Sequence, residues 1–243
     1  MVELRAIPGY CYPFHGYSII LMLMKLARLH QHANKEPYWH VHVAVVVAIA
    51  LQLALNNKLT VGPKYVIAGF ESLLLVALVV FAPHKHPVIA HLRRTLAVML
   101  IALISVANIT SLILVVDSLF GSKQVSGKEL IVSGLAIYLT NIIIFGLWYW
   151  ELDSNGNQGQ DVEVTPVDFL FPQMVNGADI AAGKGWTPTF FDYLYVSITN
   201  ASAFSPTDTL PLTHRAKFLM SLQSTTSLIT VALVAARAVN ILA

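Results

Sequence analysis

The stretch Asp192-Tyr-Leu-Tyr-Val-Ser-Ile-Thr-Asn-Ala-Ser-Ala-Phe-Ser-Pro-Thr-Asp-Thr-Leu-Pro211 decides how this chain is read. It is a short amphipathic segment followed by a tight polar turn. A long apolar run, Thr213–Leu242, comes next. Thr189 or Asp192 can cap a helix over Phe190–Ser202, since each offers an oxygen to the orphan N–H groups of a first turn. At 1.5 Å per residue that helix is ~20 Å long, too short to cross ~30 Å of hydrocarbon. Non-helical backbone such as Ala203–Asp208 is tolerated at membrane depth only when buried in protein or lining a watery cavity. The stretch therefore reads as a helix that enters a membrane part-way and returns by a loop.

Composition agrees with a membrane setting. Of 243 residues, 56% are hydrophobic and 12% charged, against about 25% charged in soluble domains. The mean hydropathy is +0.66. The chain is thus expected to be an all-α integral membrane protein, multi-pass, in the plasma (cell inner) membrane, with lipid as a partner. A net charge of +2 gives no reason to expect nucleic acid. One cysteine, Cys11, excludes an internal disulfide framework and a cysteine-rich metal site. No cleavable leader is evident, because Met-Val-Glu-Leu-Arg lacks the basic-then-apolar order.

Outward from the opening stretch, apolar runs cover Tyr38–Leu55, Tyr65–Ala82, Leu92–Val116 and Leu130–Trp150, and Thr213–Leu242 is the fifth. Tyr12–Leu29 is either a sixth, marginal span or an interfacial helix, with Lys25 and Arg28 placed to snorkel. Three regions follow. Residues 1–37 are an amphipathic or marginal segment. Residues 38–128 are a peripheral bundle. Residues 129–243 hold an outer helix, a polar connection over 151–188, the short helix and turn over 189–211, and an inner helix over 213–242. The polar connection carries Glu151, Asp153, Asp161, Glu163, Asp168 and Asp179 against Lys184 alone.

The spacing within the opening stretch resembles the pore helix, filter and inner helix of tetrameric potassium-channel-like cation channels. Those read roughly W-S-V-x-T-x-T-T-V-G-Y-G-D-x-x-P, then a basic residue and the inner helix. Ser197 stands eleven residues before Asp208 and Pro211 three after it, as in that pattern, and Arg215 or Lys217 takes the basic position. The end of the chain also resembles a group of bacterial membrane proteins with a similar aspartate-containing turn. The resemblance implies a homotetramer that passes a monovalent cation passively, with no catalytic residue, no cofactor and no resident metal. It implies a filter at Ala203, Phe204, Ser205, Pro206, Thr207 and Asp208. The filter contents depart from the family. Potassium filters use glycines because alternate residues adopt backbone angles open mainly to glycine. Ser205 and Thr207 enter those angles at a cost, and Pro206 is fixed near φ −65°. The expectation is a wider, hydroxyl- and carboxylate-lined path rather than a queue of carbonyl sites. The alternative is a non-conducting scaffold or a transporter that reuses the same frame.

Other residues raise separate expectations. Ser221, Ser224 and Ser227 recur every third position and Thr230 continues them. Such a stripe lines a wet cavity or, equally, packs one helix against another. His30, His32, His40, His42, His84 and His86 fall where a helical hairpin would bring them to one face, as a pH-sensing or metal cluster or as helix-end caps. Glu71 is an intramembrane acid and so a functional suspect, with Arg93, Arg94 or Lys64 as candidate partners. Asn108, Thr140 and Asn141 are expected to bond between helices. The lysines and arginines weigh towards the face that carries the filter, the reverse of the positive-inside rule.

Overall fold

A computed structural model describes residues 39–60, 62–81, 87–120, 125–153, 167–174, 186–203, 205 and 208–242. All belong to one compact unit, Tyr38–Ala243. The readings made for residues 1–37, including the span Tyr12–Leu29, lie outside the described residues. The described chain is helical: α1 Trp39–Leu53, α2 Lys64–Phe81, α3 Pro87–Phe120, α4 Gly127–Asp153, α5 Phe190–Ser202 and α6 His214–Leu242. A two-residue antiparallel pair joins β1, Phe169–Leu170, to β2, Leu210–Pro211, with Phe169 opposite Pro211.

A helix stands at each of the five expected apolar runs. Three are long and apolar enough to cross a membrane: His91–Ser118, Gly127–Asp153 and His214–Val239. Trp39–Leu53 and Tyr65–Phe81 are apolar but shorter. The helix ends have local causes. Before α4, Ser126 and Glu129 form a reciprocal cap: the Glu129 N–H donates to the Ser126 hydroxyl at 3.2 Å, and the Ser126 N–H to the Glu129 carboxylate at 3.0 Å. That cap starts α4 three residues ahead of the expected Leu130. Between α1 and α2, Gly62 turns the chain at φ 72°, a conformation that costs a side chain dearly but glycine little.

Helix α4 is the centre of the unit. It packs against α1, α3, α5 and α6. Ala48, Ile104, Leu147 and Phe190 meet in one apolar core. Phe145, Tyr149, Phe169, Tyr193 and Met220 form a second, and Leu112, Leu130 and Ile137 belong to a third. The outer faces are apolar too, as Tyr65, Phe70, Leu73 and Val76 of α2 show. Exposed apolar surface on this scale marks a contact with lipid or another chain.

Two glycines let α4 be approached closely. A Cβ at Gly146 would lie 3.2 Å from the Leu194 Cα of α5. A Cβ at Gly134 would overlap the Val234 side chain of α6. Small residues at helix interfaces permit this backbone proximity.

Candidate functional site

The site is built around α5. Its limits, Phe190–Ser202, and its cap at Thr189 are those the sequence suggests. The Asp192 carboxylate reaches back and accepts from the Thr189 N–H at 2.7 Å and from the Thr189 hydroxyl at 2.8 Å. The N-terminal end of α5 sits beside the C-terminal end of α4: Phe190 packs edge-on against Trp150, and the Tyr193 hydroxyl donates to Asp153 at 2.6 Å. Burial pushes the Tyr193 phenol up, so the hydroxyl remains a donor. Further along, the Ser197 hydroxyl donates to the Ile142 carbonyl at 2.6 Å. Helix α5 therefore runs back along α4 from its C-terminal end towards its middle.

After α5 the chain returns. Leu210–Pro211 pairs with Phe169–Leu170. Next to that pair, the Asp168 N–H donates to Asp153 at 2.8 Å and the Thr213 hydroxyl donates to the Asp168 carboxylate. The Leu212 N–H donates to the Asp168 carbonyl at 2.9 Å. Asp153, Asp168, Tyr193 and Thr213 thus clamp the end of α4, the β pair, the start of α5 and the start of α6 at one level. Both ends of the helix-and-turn segment are fixed there. Three acids of the polar connection, Glu151, Asp153 and Asp168, are used in internal contacts. Asp161, Glu163 and Asp179 lie outside the described residues.

A buried polar network holds α5 to α4 and α6. Gln223 is its hub. Its Oε1 accepts from the Tyr149 hydroxyl at 2.5 Å and from Asn200 Nδ2 at 2.8 Å. Its Nε2 donates to the Ser197 carbonyl at 2.9 Å and to Ser197 Oγ at 2.6 Å. Asn200 also donates to the Met220 carbonyl at 3.0 Å and accepts from the Ser224 hydroxyl at 3.0 Å. One turn below, Asn141 donates to Ser227 Oγ at 2.9 Å. Sequence alone assigns no role to Tyr149, Asn200 or Gln223. The nearest signal is polarity in the middle of an apolar helix, which marks Gln223 but not its partners.

This network redefines the α6 stripe. Ser227 and Thr230 are buried inside the chain, Ser224 is half-buried against Asn200, and Ser221 alone is exposed. Thr230 donates back to the Thr226 carbonyl of its own helix at 2.7 Å. Two of the four hydroxyls, those of Ser224 and Ser227, therefore bond to other helices, and the exposed side of α6 carries Phe218, Leu222, Leu228 and Val231. Among the filter candidates, Ala203, Ser205 and Asp208 are exposed on the turn. Phe204, Pro206 and Thr207 lie outside the described residues.

Glu71 is fully buried, and the partner seen among the described side chains is not a cation but an amide. The Gln52 amide of α1 faces it. With its nitrogen turned to the carboxylate, it donates to the two oxygens at 2.8 and 3.0 Å. Arg94 instead pairs with Glu151 at 3.4 Å. A neutral amide carries no charge to mark it in the sequence as a partner, yet it satisfies a buried acid without a second ion to desolvate. Asn141 and Asn108 do bond between helices, Asn108 to the Ile137 carbonyl at 3.4 Å. The buried Thr140 hydroxyl finds no partner among the described residues.

The two described histidines of the expected cluster diverge. His40 meets the ring of Phe191 edge-on, while His42 faces a cleft beside Arg93, Arg94 and Glu151. His30, His32, His84 and His86 lie outside the described residues. Among the described residues, no three His, Cys, Asp or Glu side chains gather to hold a metal ion.

Fold and site define an all-α membrane protein in which two long helices, α4 and α6, grip a short capped helix followed by an exposed turn. No protein-family model, curated protein or solved structure matches the chain.

Proposed function

We propose that this chain is a channel-like subunit, with Phe190–Asp208 as a re-entrant pore helix and filter turn, and that four copies surround a path for passive monovalent-cation permeation. One observation carries the reading: the segment begins and ends at the same clamp, with a helix too short to cross the bilayer between. The C-terminal end of α5 adds negative partial charge at the turn. Asp208 is exposed there, and a ring of four would concentrate cations. Closed cyclic symmetry is the ordinary way to build such a ring. In this reading α1 and α2 also cross, at ~22 and ~27 Å, which local thinning or flanking residues accommodate.

A second reading, a non-conducting scaffold or a transporter, is favoured by the fate of the stripe. With Ser224, Ser227 and Thr230 turned inward, the exposed face of α6 is mostly apolar. Liposomes loaded with potassium or sodium separate the two. The channel reading expects flux down the gradient, reduced by Asp208→Ala and altered by Phe204→Ala. A purified monomer or dimer without flux would instead establish the second reading.

A further inference from the structure

Glu71, in α2, is a fully buried acid that the channel reading does not use. The helices packed against α2 are α1 and α3. Ala68 and Leu75 share a helix face with Glu71, and both belong to the apolar core formed with α1 and α3. Gln52 of α1 stands between the Glu71 carboxyl and the Ile104 carbonyl of α3.

An amide has one donor end and one acceptor end, and the Ile104 carbonyl only accepts. With Nε2 towards α3, Gln52 donates to Ile104 at 3.3 Å, and its oxygen lies 2.8 and 3.0 Å from the two Glu71 oxygens. A carboxylate and an amide oxygen repel at that distance, whereas the O–H of a carboxylic acid donates across it. With the amide turned over, Nε2 donates to the Glu71 oxygens and the Ile104 bond is lost. The first arrangement needs a proton on Glu71 and the second needs none. Gln52 serves both neighbours only when Glu71 is protonated.

The ionisable groups of the three helices stand towards their ends. On α1, His40 and His42 are ten or more residues before Gln52, ~15 Å or more along the axis. On α3, His91, Arg93 and Arg94 precede Ile104 by at least as far, and Asp117 follows it at ~20 Å. On α2, Lys64 and Tyr65 are about 10 Å before Glu71. Lys58, in the turn between α1 and α2, lies near Glu129. A proton is therefore the ligand that the geometry at Gln52 accommodates.

We propose that Glu71 is a proton-binding site and that the Gln52 amide turns over with the proton. Protonated, Glu71 donates to Gln52 and Gln52 to Ile104, so two bonds in series join α2 to α1 and α1 to α3. Ionised, Glu71 takes the amide hydrogens and α1 loses this tie to α3. Acid tightens the α1–α2–α3 bundle and alkali loosens it. The site lies apart from the α5 segment and stands whether or not the chain conducts.

The test uses the full chain purified in a maltoside detergent, which has no carbonyl groups of its own. Infrared spectra and the unfolding midpoint are followed as pH rises. A carboxylic C=O band should be present at acid pH, vanish reversibly as pH rises and be missing from Glu71→Gln. That variant offers an N–H where the acid offers its O–H, so it should hold the protonated arrangement at every pH. The folded chain holds a proton that the unfolded chain releases. The wild-type midpoint should therefore fall relative to that of Glu71→Gln as pH rises through the range where the band disappears. If Glu71→Gln does not fold, Gln52→Leu gives a second readout. It removes the oxygen to which the acid donates, so the band should shift to higher frequency. A band absent at every pH, a band retained in Glu71→Gln, parallel midpoint curves, or a band unmoved by Gln52→Leu would each overturn the proposal. So would a midpoint raised by sodium at constant pH in the wild type but not in Glu71→Gln, which would make the ligand a metal cation.

Discussion

Gln223 bears more of the packing between α5 and α6 than any hydroxyl of the stripe, because one amide satisfies groups on two other helices, Tyr149 of α4 and Ser197 and Asn200 of α5. Replacing it with leucine strands the Tyr149 hydroxyl and removes one bond each from Asn200 and the Ser197 carbonyl. Buried groups left unpaired cost ~1–3 kcal/mol, at the lower end inside a bilayer, where the unfolded helices find partners too. Gln223→Leu should therefore unfold at clearly lower temperature or detergent denaturant, whereas Ser221→Ala, on the exposed face, should stay within ~0.5 kcal/mol of wild type. Equal effects of the two would mean that the hub is not formed. The Gln52–Glu71 contact makes a sharper prediction. Gln52→Leu leaves a fully buried carboxylate without the amide that meets it, so it should destabilise by a few kcal/mol. Adding Glu71→Leu removes the stranded group, and the double variant should recover most of that loss. Unfolding midpoints of the wild type and the two variants decide it; a double variant worse than Gln52→Leu would show that Glu71 has a further partner.

Helix α5 is legible in the sequence because its signals are local. Thr189 and Asp192 mark the cap, and the turn residues after Ser202 mark the stop. What α5 leans on is not legible. The serines at 221, 224 and 227 recur every third residue whether the partner is a cavity or a helix. Periodicity fixes a face but not what meets it. The β1–β2 pair escapes the sequence for a related reason: two residues on each strand carry no period, and only the clamp at Asp153 and Asp168 brings them together. Glycine is similar. Gly146 looks unremarkable in an apolar run, yet it marks where α5 comes closest to α4. A methyl there would stand 3.2 Å from backbone at Leu194, tighter than ordinary carbon contacts of ~3.5–4.0 Å. Because backbone cannot swing aside as a side chain can, Gly146→Ala should push α5 outward. The expected result is ~1–3 kcal/mol of destabilisation, as for overpacking elsewhere, with faster hydrogen exchange in α5 than in α3. Gly69 of α2 is the control, because a methyl added there would meet nothing within 4 Å. Gly69→Ala should be neutral or slightly stabilising.

At the level of the assembly, the described chain splits its polar groups between two uses. Those on α4, α5 and α6 that face inward, such as Asn141, Ser197, Asn200 and Gln223, are consumed in holding the helices together. Those on the turn, Ser205 and Asp208, remain on the surface. On the proposed reading, a permeation path would be built from the turn and from contacts between copies, since these inward-facing groups of the described chain are bonded to one another. This makes Asp208 the position where charge should matter most. Cys11 is the chain's single cysteine, so Cys11→Ser with Asp208→Cys places one thiol at the turn. If four such turns ring a cation path, a thiol reagent that adds negative charge should raise cation flux in liposomes, and one that adds positive charge should lower it. The effect should shrink as salt rises, because exposed charges are screened over ~10 Å at 0.1 M. The same pair of reagents at Ser221→Cys, on the exposed face of α6 away from the clamp, should show whether the path continues along that helix. Sign-dependent effects at 208 alone would place the selective step at the turn, and reagents without effect at either position would remove the path from this surface.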